Sequence, residues 1–187
     1  MPKDLNLPIR SERLVFRPIT LDDLDACQEL FSNPDVVRYL YDDVFTEEAA
    51  RDHIERRLWV GLPDEGRWAN LAMERHGTYI GEIGVSLVSA AHRNCEIGYV
   101  MSPAFSGSGL ATEAARVAAD IAFACMDAHR VVGRLDARNH RSRRVLERLA
   151  MRPEGLFHSN EFVKGEWCDE LVFAVLQDEW VVTTDFV

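Results

Sequence analysis

The stretch Glu96 to Met126, E-I-G-Y-V-M-S-P-A-F-S-G-S-G-L-A-T-E-A-A-R-V-A-A-D-I-A-F-A-C-M, governs how the rest of the chain is read. Cys95, Ile97, Tyr99 and Met101 alternate with Glu96, Gly98 and Val100, which predicts a strand. Pro103 ends it, because proline brings no N–H to a ladder. Ser106-Gly107-Ser108-Gly109 makes a glycine-rich turn. Beyond it Ala114, Val117, Ala118, Ile121, Ala122 and Cys125 recur at helical spacing on one face, with Glu113, Arg116, Asp120 and Asp127 on the other. A strand, a glycine turn and a helix start together build an anion site. The free N–H groups of the first helical turn point outward, and the helix dipole favours negative charge. Glycines let a phosphate approach the backbone closely. G-x-G alone equally fits an ordinary turn. A Walker loop is excluded, since Leu110-Ala111-Thr112 supplies no lysine, and a dinucleotide fingerprint fails at Thr112, with no second βαβ half downstream.

The 187 residues suit one domain, 1–187, and at 47% apolar they can bury a sizeable core. No run approaches the ~20 apolar residues that cross a bilayer, and Met1 to Arg10 lacks the apolar centre of a signal peptide. The expectation is a cytoplasmic protein with no membrane partner. Cys27, Cys95, Cys125 and Cys168 are widely spaced with no C-x-x-C pair, so neither a metal site nor a disulfide framework is expected. A formal charge of −10 argues against nucleic acid as a partner. The charge is uneven, however. Arg130, Arg134, Arg138, Arg141, Arg143, Arg144, Arg148 and Arg152 fall within 23 residues, opposed there by Asp136 and Glu147; that segment is +6, leaving −16 for the remainder. Such an island is either a solvated helix face or a docking surface for a polyanion such as the phosphates of coenzyme A. The acidic remainder favours a cationic substrate.

Upstream, Arg10 to Ile19 reads as a first strand, with Leu14 and Phe16 on one face. Thr20 caps a helix whose first turn holds Asp22 and Asp23 and whose apolar stripe is Leu21, Leu24, Cys27, Leu30 and Phe31. Asn33-Pro34 breaks it. Asp35 to Leu40 reads as a short helix, and Thr46 opens another that runs to about Trp59. Trp68 to Glu74 and Thr78 to Val88 form a hairpin about His76-Gly77, with Gly81 and Gly84 predicting a bulge or a close backbone approach. After the long helix come a strand, Arg130 to Asp136, a helix, Asn139 to Ala150, and a hairpin of Gly155 to Val163 with Leu171 to Leu176 about Lys164-Gly165. With the short helix at Asp35 to Leu40 left out, the order is β-α-α-β-β-β-α-β-α-β-β.

Phe105 to Ala114, F-S-G-S-G-L-A-T-E-A, resembles the acyl-CoA loop of the GNAT superfamily of N-acetyltransferases, Q/R-x-x-G-x-G/A, with Gly109 and Ala111 at the small positions. Ser106 departs from it, standing where Gln or Arg is expected. R-L-V-F-R-P-I-T, Asn33-Pro34-Asp35-Val36, E-I-G-Y-V, N-H-R-S-R-R-V-L-E-R-L-A and K-G-E-W-C-D-E-L resemble the branch that includes the ribosomal-protein N-terminal acetyltransferases. Ala150-Met151-Arg152 departs where that branch usually carries Gly-Phe, a change of turn geometry. The resemblance covers nearly the whole chain. It implies an α/β (α+β) acyl-CoA N-acyltransferase fold: a mixed, mostly antiparallel twisted sheet flanked by helices, with two central strands splayed around the cofactor, acetyl-CoA. It also implies the residues that hold this cofactor: Tyr99, Val100 and Met101 on the splayed strand, Ser106, Gly107, Ser108, Gly109, Leu110, Ala111 and Thr112 in the loop and first turn, then Asn139, Ser142 and Arg144 on the following helix. Asn139 also reads as a plain helix cap.

Acetyl transfer to an amine needs a polarised thioester carbonyl, a neutral amine and a proton for the departing thiolate. Tyrosine often serves the thiolate in the superfamily, and none follows Tyr99 in the chain, so Ser142 or a water it holds is the expected substitute. For the base the resemblance points first to Glu161 on the last hairpin and then to Glu96; His158 is a third option. The implied acceptor is a peptide or protein N-terminal α-amino group. A small amine of aminoglycoside or polyamine type, or an acyl-CoA-binding protein without catalysis, are the alternatives. Edge strands in this branch often pair, which leaves a homodimer open.

Overall fold

The structure is a computed structural model that describes residues 5–186, so the first four positions of the leading segment lie outside it. Its strands are β1 (Ile9–Arg10), β2 (Val15–Pro18), β3 (Trp68–Arg75), β4 (Thr78–Ser89), β5 (Asn94–Met101), β6 (Arg130–Asp136), β7 (Arg152–Val163) and β8 (Glu166–Leu176). They form one eight-stranded sheet in the order β1-β2-β3-β4-β5-β6-β8-β7. Every neighbouring pair is antiparallel except β5–β6. The helices are α1 (Leu24–Phe31), α2 (Pro34–Val37), α3 (Glu47–Glu55), α4 (Leu110–Cys125) and α5 (His140–Arg148).

Two apolar layers cover the sheet. Leu71 and Met73 of β3 join Ile83, Val85, Ile97 and the inner face of α4 in one buried cluster. Ala72, between them, joins Ile19, Cys27, Phe31 and Ile54 in the other, beneath α1 and α3. Alternation along a strand thus feeds both layers. Burying a side chain such as Phe16 or Phe31 contributes roughly 1.5–3 kcal/mol. The four cysteines are buried and unbonded to one another. Among the described residues no helix is long and apolar enough to cross a membrane.

Several expectations are corrected. Arg10 to Ile19 is not one strand: Ile9 pairs with Phe16 across a tight hairpin, closed where Ser11 N–H donates to the Leu14 carbonyl. The Thr20 helix opens with a 3₁₀ turn, Leu21–Asp23, in which Asp23 accepts from Thr20 N–H at 2.9 Å and ion-pairs Arg17; Leu21 is exposed rather than part of the stripe. Both short helices are shorter than their patterns suggest, α2 ending at Val37 and α3 at Glu55. Asp120, expected on the outer face of α4, is fully buried. Its carboxylate accepts from Trp180 Nε1, from the hydroxyls of Thr183 and Thr184 and from both their N–H groups. The C-terminal segment therefore lies across the helix and supplies the donors that a buried carboxylate requires.

The Ala150 departure has a visible cost. Ala150 adopts φ +58°, the left-handed region that favours glycine, and ends α5 so that Met151 turns into the core. Replacing Ala150 with glycine should raise stability by about 0.5–1 kcal/mol, read as a rise in thermal midpoint of roughly 1–4 °C.

Candidate active site

The parallel β5–β6 pairing lasts three registers, Asn94↔Arg130, Cys95↔Val131 and Glu96↔Val132, and then stops. β5 continues to Met101 and β6 to Asp136, and a cleft of about 400 Å³ opens between them. Glycines set its walls. A Cβ on Gly133 would stand 2.7 Å from Leu146 Cδ1, and one on Gly84 2.9 Å from the Trp68 ring, so both side chains press onto bare backbone. Gly81, at φ +156°, lies so close beneath Val100 that an added Cβ would come within 2.1 Å of its carbonyl oxygen. The predicted close approach at Gly81 and Gly84 is thus present, and at Gly81 it fixes the free end of β5.

The glycine loop bends through Gly107 and Gly109, both at φ +81°, and Gly109 caps α4. Thr112 N–H and Glu113 N–H return to the Gly109 carbonyl, each at 3.1 Å. The N–H groups of Leu110 and Ala111 precede those bonds and are the free donors of a helix start. The loop is buttressed from the chain's beginning. Arg13 Nη1 donates to the Ser108 carbonyl at 2.7 Å, and Glu113 accepts from Ser11 Oγ, Arg13 N and Arg13 Nε. Burial alone would raise the Glu113 pKa, but these hydrogen bonds and the Arg13 charge hold it below the ordinary carboxylate value. Ser106 is exposed and brings no long side chain to the loop.

Asn139 caps α5, its Oδ1 accepting Ser142 N–H at 3.0 Å, and it lines the cleft as well, so both readings of Asn139 are compatible. Ser142 Oγ lies 2.8 Å from the Tyr99 hydroxyl, which also donates to the Ser142 carbonyl at 3.3 Å. Tyr99 therefore ties β5 to α5, a tyrosine beside Ser142 that comes from upstream. Burial pushes its pKa up to about 12, against a smaller lowering by the Ser142 hydrogen bond, and the phenol keeps its proton near neutrality.

The arginine island is mostly neutralised, by its own Asp136 and Glu147 and by carboxylates from the hairpin that follows. Arg138 pairs with Asp136 and Glu166, Arg143 with Glu147, Arg152 and Arg130 with Glu154. Among the described residues Arg141, Arg144 and Arg148 have no carboxylate within 4 Å, and Arg144 bonds only the His140 carbonyl. The +6 segment is thus a set of ion pairs with a few free cations, not a uniform docking surface.

On the other side of the sheet the two candidate bases share one network. Arg134 reaches Glu96 at 3.5 Å and Glu170 at 3.1 Å; Asn160 Nδ2 bonds Glu170 at 3.1 Å and Glu161 at 3.4 Å. Glu161, Glu96 and Glu170 all line the cleft. Burial raises the Glu96 pKa, Arg134 works against that and Glu170 reinforces it. Tyr41 faces the same group: burial, then the charges of Glu161, Glu170 and Glu96, raise its pKa. His158 does not join them. It is exposed on the bulge of β7 and bonds Asp169 at 3.0 Å. The cleft also holds residues that periodicity does not reveal. Buried Glu82 accepts from His53 Nε2 at 3.0 Å and from the Tyr79 hydroxyl at 2.7 Å, with Arg57 at 3.6 Å. Cys27 completes a group of three metal-type ligands with His53 and Glu82, but here the Arg57 guanidinium supplies the positive charge beside Glu82.

Residues 13–152 match the family described as acetyltransferase (GNAT) domain, and the chain belongs to that family. Among curated relatives it is 30% identical over 172 residues to the uncharacterized N-acetyltransferase YnaD of Bacillus subtilis, covering 92% of this chain and 98% of that protein. It is 31% identical over 104 residues to the putative ribosomal N-acetyltransferase YdaF of B. subtilis, covering 56% and 57%. Among solved structures a GNAT-family acetyltransferase from Bacillus anthracis superposes with a TM-score of 0.82 at 32% identity, covering 92% and 100%. Spermidine N-acetyltransferase from Vibrio cholerae, solved with CoA and spermine, shares the fold with a TM-score of 0.75 at 18% identity, covering 90% and 98%. This chain is an N-acetyltransferase that transfers the acetyl group of acetyl-CoA to an amine.

The loop geometry gives a direct test. Gly109→Val places a branched side chain at φ +81° where an anion must reach the helix start. Calorimetry should show acetyl-CoA affinity falling at least about tenfold, roughly 1.4 kcal/mol, in a folded variant. Unchanged affinity would make the loop a turn and nothing more.

Proposed function

We propose that the acceptor is the α-amino group of a peptide or protein N-terminus. The observation that carries this reading is the charge balance of the cleft. Six of its carboxylates, Glu82, Glu96, Asp136, Glu166, Asp169 and Glu170, already have a cationic or histidine partner within 4 Å. Among the described residues Glu161 and Asp42 are the cleft carboxylates with none. Of the two, Glu161 belongs to the Asn160–Glu170 network and suits one ammonium group there. A polyamine, with several, would compete with arginines already held in place. The acidic lining and the spermidine N-acetyltransferase likeness favour a polyamine as the second reading.

When bound, acetyl-CoA supplies the acetyl group as a thioester. The loop donors at Leu110 and Ala111 receive the cofactor's phosphates, with Gly107, Ser108, Gly109 and Thr112 shaping the approach and Arg144 adding charge. The backbone of Tyr99, Val100 and Met101, left without a β6 partner, takes the pantetheine arm and the acetyl carbonyl together with Asn139. Ser142, backed by the Tyr99 hydroxyl, passes a proton toward the leaving sulfur. Glu161 holds the ammonium and removes its proton through water, and Glu96, clamped by Arg134, is the second acceptor along the same network. An α-amino group ionises near ~7.7–8.0, so a modest base suffices.

Such groups act mainly on the transition state. Glu161→Gln should lower kcat at least tenfold near neutrality, within the ~10²–10⁴-fold typical of acid–base groups, with little change in acetyl-CoA affinity. The loss should shrink as pH rises above the amine's pKa. Ser142→Ala should lose activity without that recovery. A pH–rate profile on an N-terminal peptide and on spermidine in parallel decides the acceptor: turnover of spermidine but not of the peptide would overturn the reading, and full activity of the Glu161 variant across pH would move the base to Glu96.

A further inference from the structure

The cations of the cleft show the same asymmetry as its carboxylates. Arg57 has Glu82 at 3.6 Å, Arg134 has Glu170 at 3.1 Å and Arg138 has Asp136 at 2.6 Å. Among the described residues two cations lining the cleft have no carboxylate within 4 Å: Arg38 and Lys164. Both are exposed. They stand on one rim, although 126 positions separate them. Lys164 is the first residue of the β7–β8 turn, at φ +51°, and its Nζ donates to the carbonyl of Val37 at 2.6 Å. Val37 is the last residue of α2, and Arg38 follows it directly, its guanidinium 5.4 Å from the Tyr39 ring centroid. The hydrogen bond thus brings the hairpin tip and the end of α2 together with two uncompensated positive charges.

The distance from the proposed amine position follows from the strand. Glu161 and Lys164 are three residues apart, Glu161 inside β7 and Lys164 just past its end. At about 3.3 Å per residue the separation is roughly 10 Å. A free amino acid cannot span it, because its ammonium and carboxylate share one carbon. An extended peptide advances about 3.3–3.6 Å per residue, so the side chain of its second or third residue reaches the rim while its α-amino group lies at Glu161.

Resting on the N-terminal reading above, we propose that Arg38 and Lys164 form a subsite for an anionic side chain of the acceptor, and that preferred substrates are peptide N-termini with Asp or Glu at the second or third residue. The acceptor is then dipolar, matched at both ends by charges that the protein leaves unpaired. Asp42, exposed on the loop after α2, lies on the same lining and partly offsets the two cations, so the rim takes one anionic side chain, whichever of the second and third residues reaches it.

Steady-state kinetics on three otherwise identical peptides beginning Ser-Glu-Glu, Ser-Gln-Gln and Ser-Lys-Lys test this at saturating acetyl-CoA. KM for the Glu peptide should lie about tenfold below that for the Gln peptide, the worth of one hydrogen bond to a charged group, with the Lys peptide poorest and kcat little changed. The Glu:Gln ratio should fall with salt, because exposed charges are screened. It should vanish in R38Q/K164Q and drop several-fold in Arg38→Gln alone, which keeps the Lys164–Val37 bond and guards against a fold defect in the double variant. Equal KM for the Glu and Gln peptides in the wild type, or a ratio that survives in R38Q/K164Q, overturns the subsite and leaves the N-terminal acceptor standing. Failure to acetylate any of the three peptides, with a small amine still turned over, overturns both.

Discussion

The structure depends on one interruption of backbone pairing. β5 and β6 share three registers and then part, so the N–H and C=O groups beyond Glu96 and Val132 lose their ladder partners on the facing edges. Buried backbone polar groups do not stay unpaired without cost, which makes this gap a site with an unmet demand for hydrogen bonds along its whole length. Three features keep it from closing. Leu146 packs on Gly133, Trp68 packs on Gly84 and Gly98, and Val100 presses on Gly81. Each contact needs a missing Cβ, so the glycines of E-I-G-V, E-I-G-Y and V-V-G-R form one device spread over three strands.

Around the gap, rigidity comes from residues distant in sequence. Arg13 and Ser11 hold Glu113 and the carbonyl of Ser108, fixing the glycine loop from the first hairpin. Arg134 on β6 ties Glu96 on β5 to Glu170 on β8, and Asn160 carries the chain on to Glu161. Charged groups with several partners each are placed more sharply than isolated surface pairs, which contribute little.

What was legible in the sequence followed periodicity and chain-local chemistry. The alternation of β5, the apolar stripe of α4, the hairpin about His76-Gly77 and the Asn139 cap depend on neighbours within a turn or two, and all are present. The mostly antiparallel sheet followed from the family resemblance, but its eighth strand did not, because the single strand expected over Arg10 to Ile19 folds back on itself as β1 and β2. Illegible features depend on pairing across the fold. Asp120 looks like a polar-face residue until Trp180, Thr183 and Thr184 arrive to cover it. Glu82 sits in an apolar strand run, and nothing nearby announces His53 as its partner. The arginine island looks uniformly basic because its neutralising carboxylates Glu154, Glu166 and Glu170 lie on the hairpin that follows. In the sequence Tyr99 reads as cofactor backbone, since only the fold brings its hydroxyl to Ser142.

Desolvation sets the electrostatics on both sides of the gap, with opposite chemical results. It is the largest cause of the upward shift at Glu96 and at Tyr99 alike, since each is less stable ionised when water is excluded. For Glu96 a raised pKa makes the carboxylate a stronger base, and the Arg134 charge works against the shift. The same group is silenced as pH falls through its raised value, earlier than an ordinary carboxylate would be. For Tyr99 the shift preserves the phenol proton far above neutrality, leaving it available to Ser142. In the proposed mechanism, water exclusion thus separates a proton-accepting wall from a proton-donating one across a single cleft. A nucleophile that must lose a proton and a leaving group that must gain one require that separation.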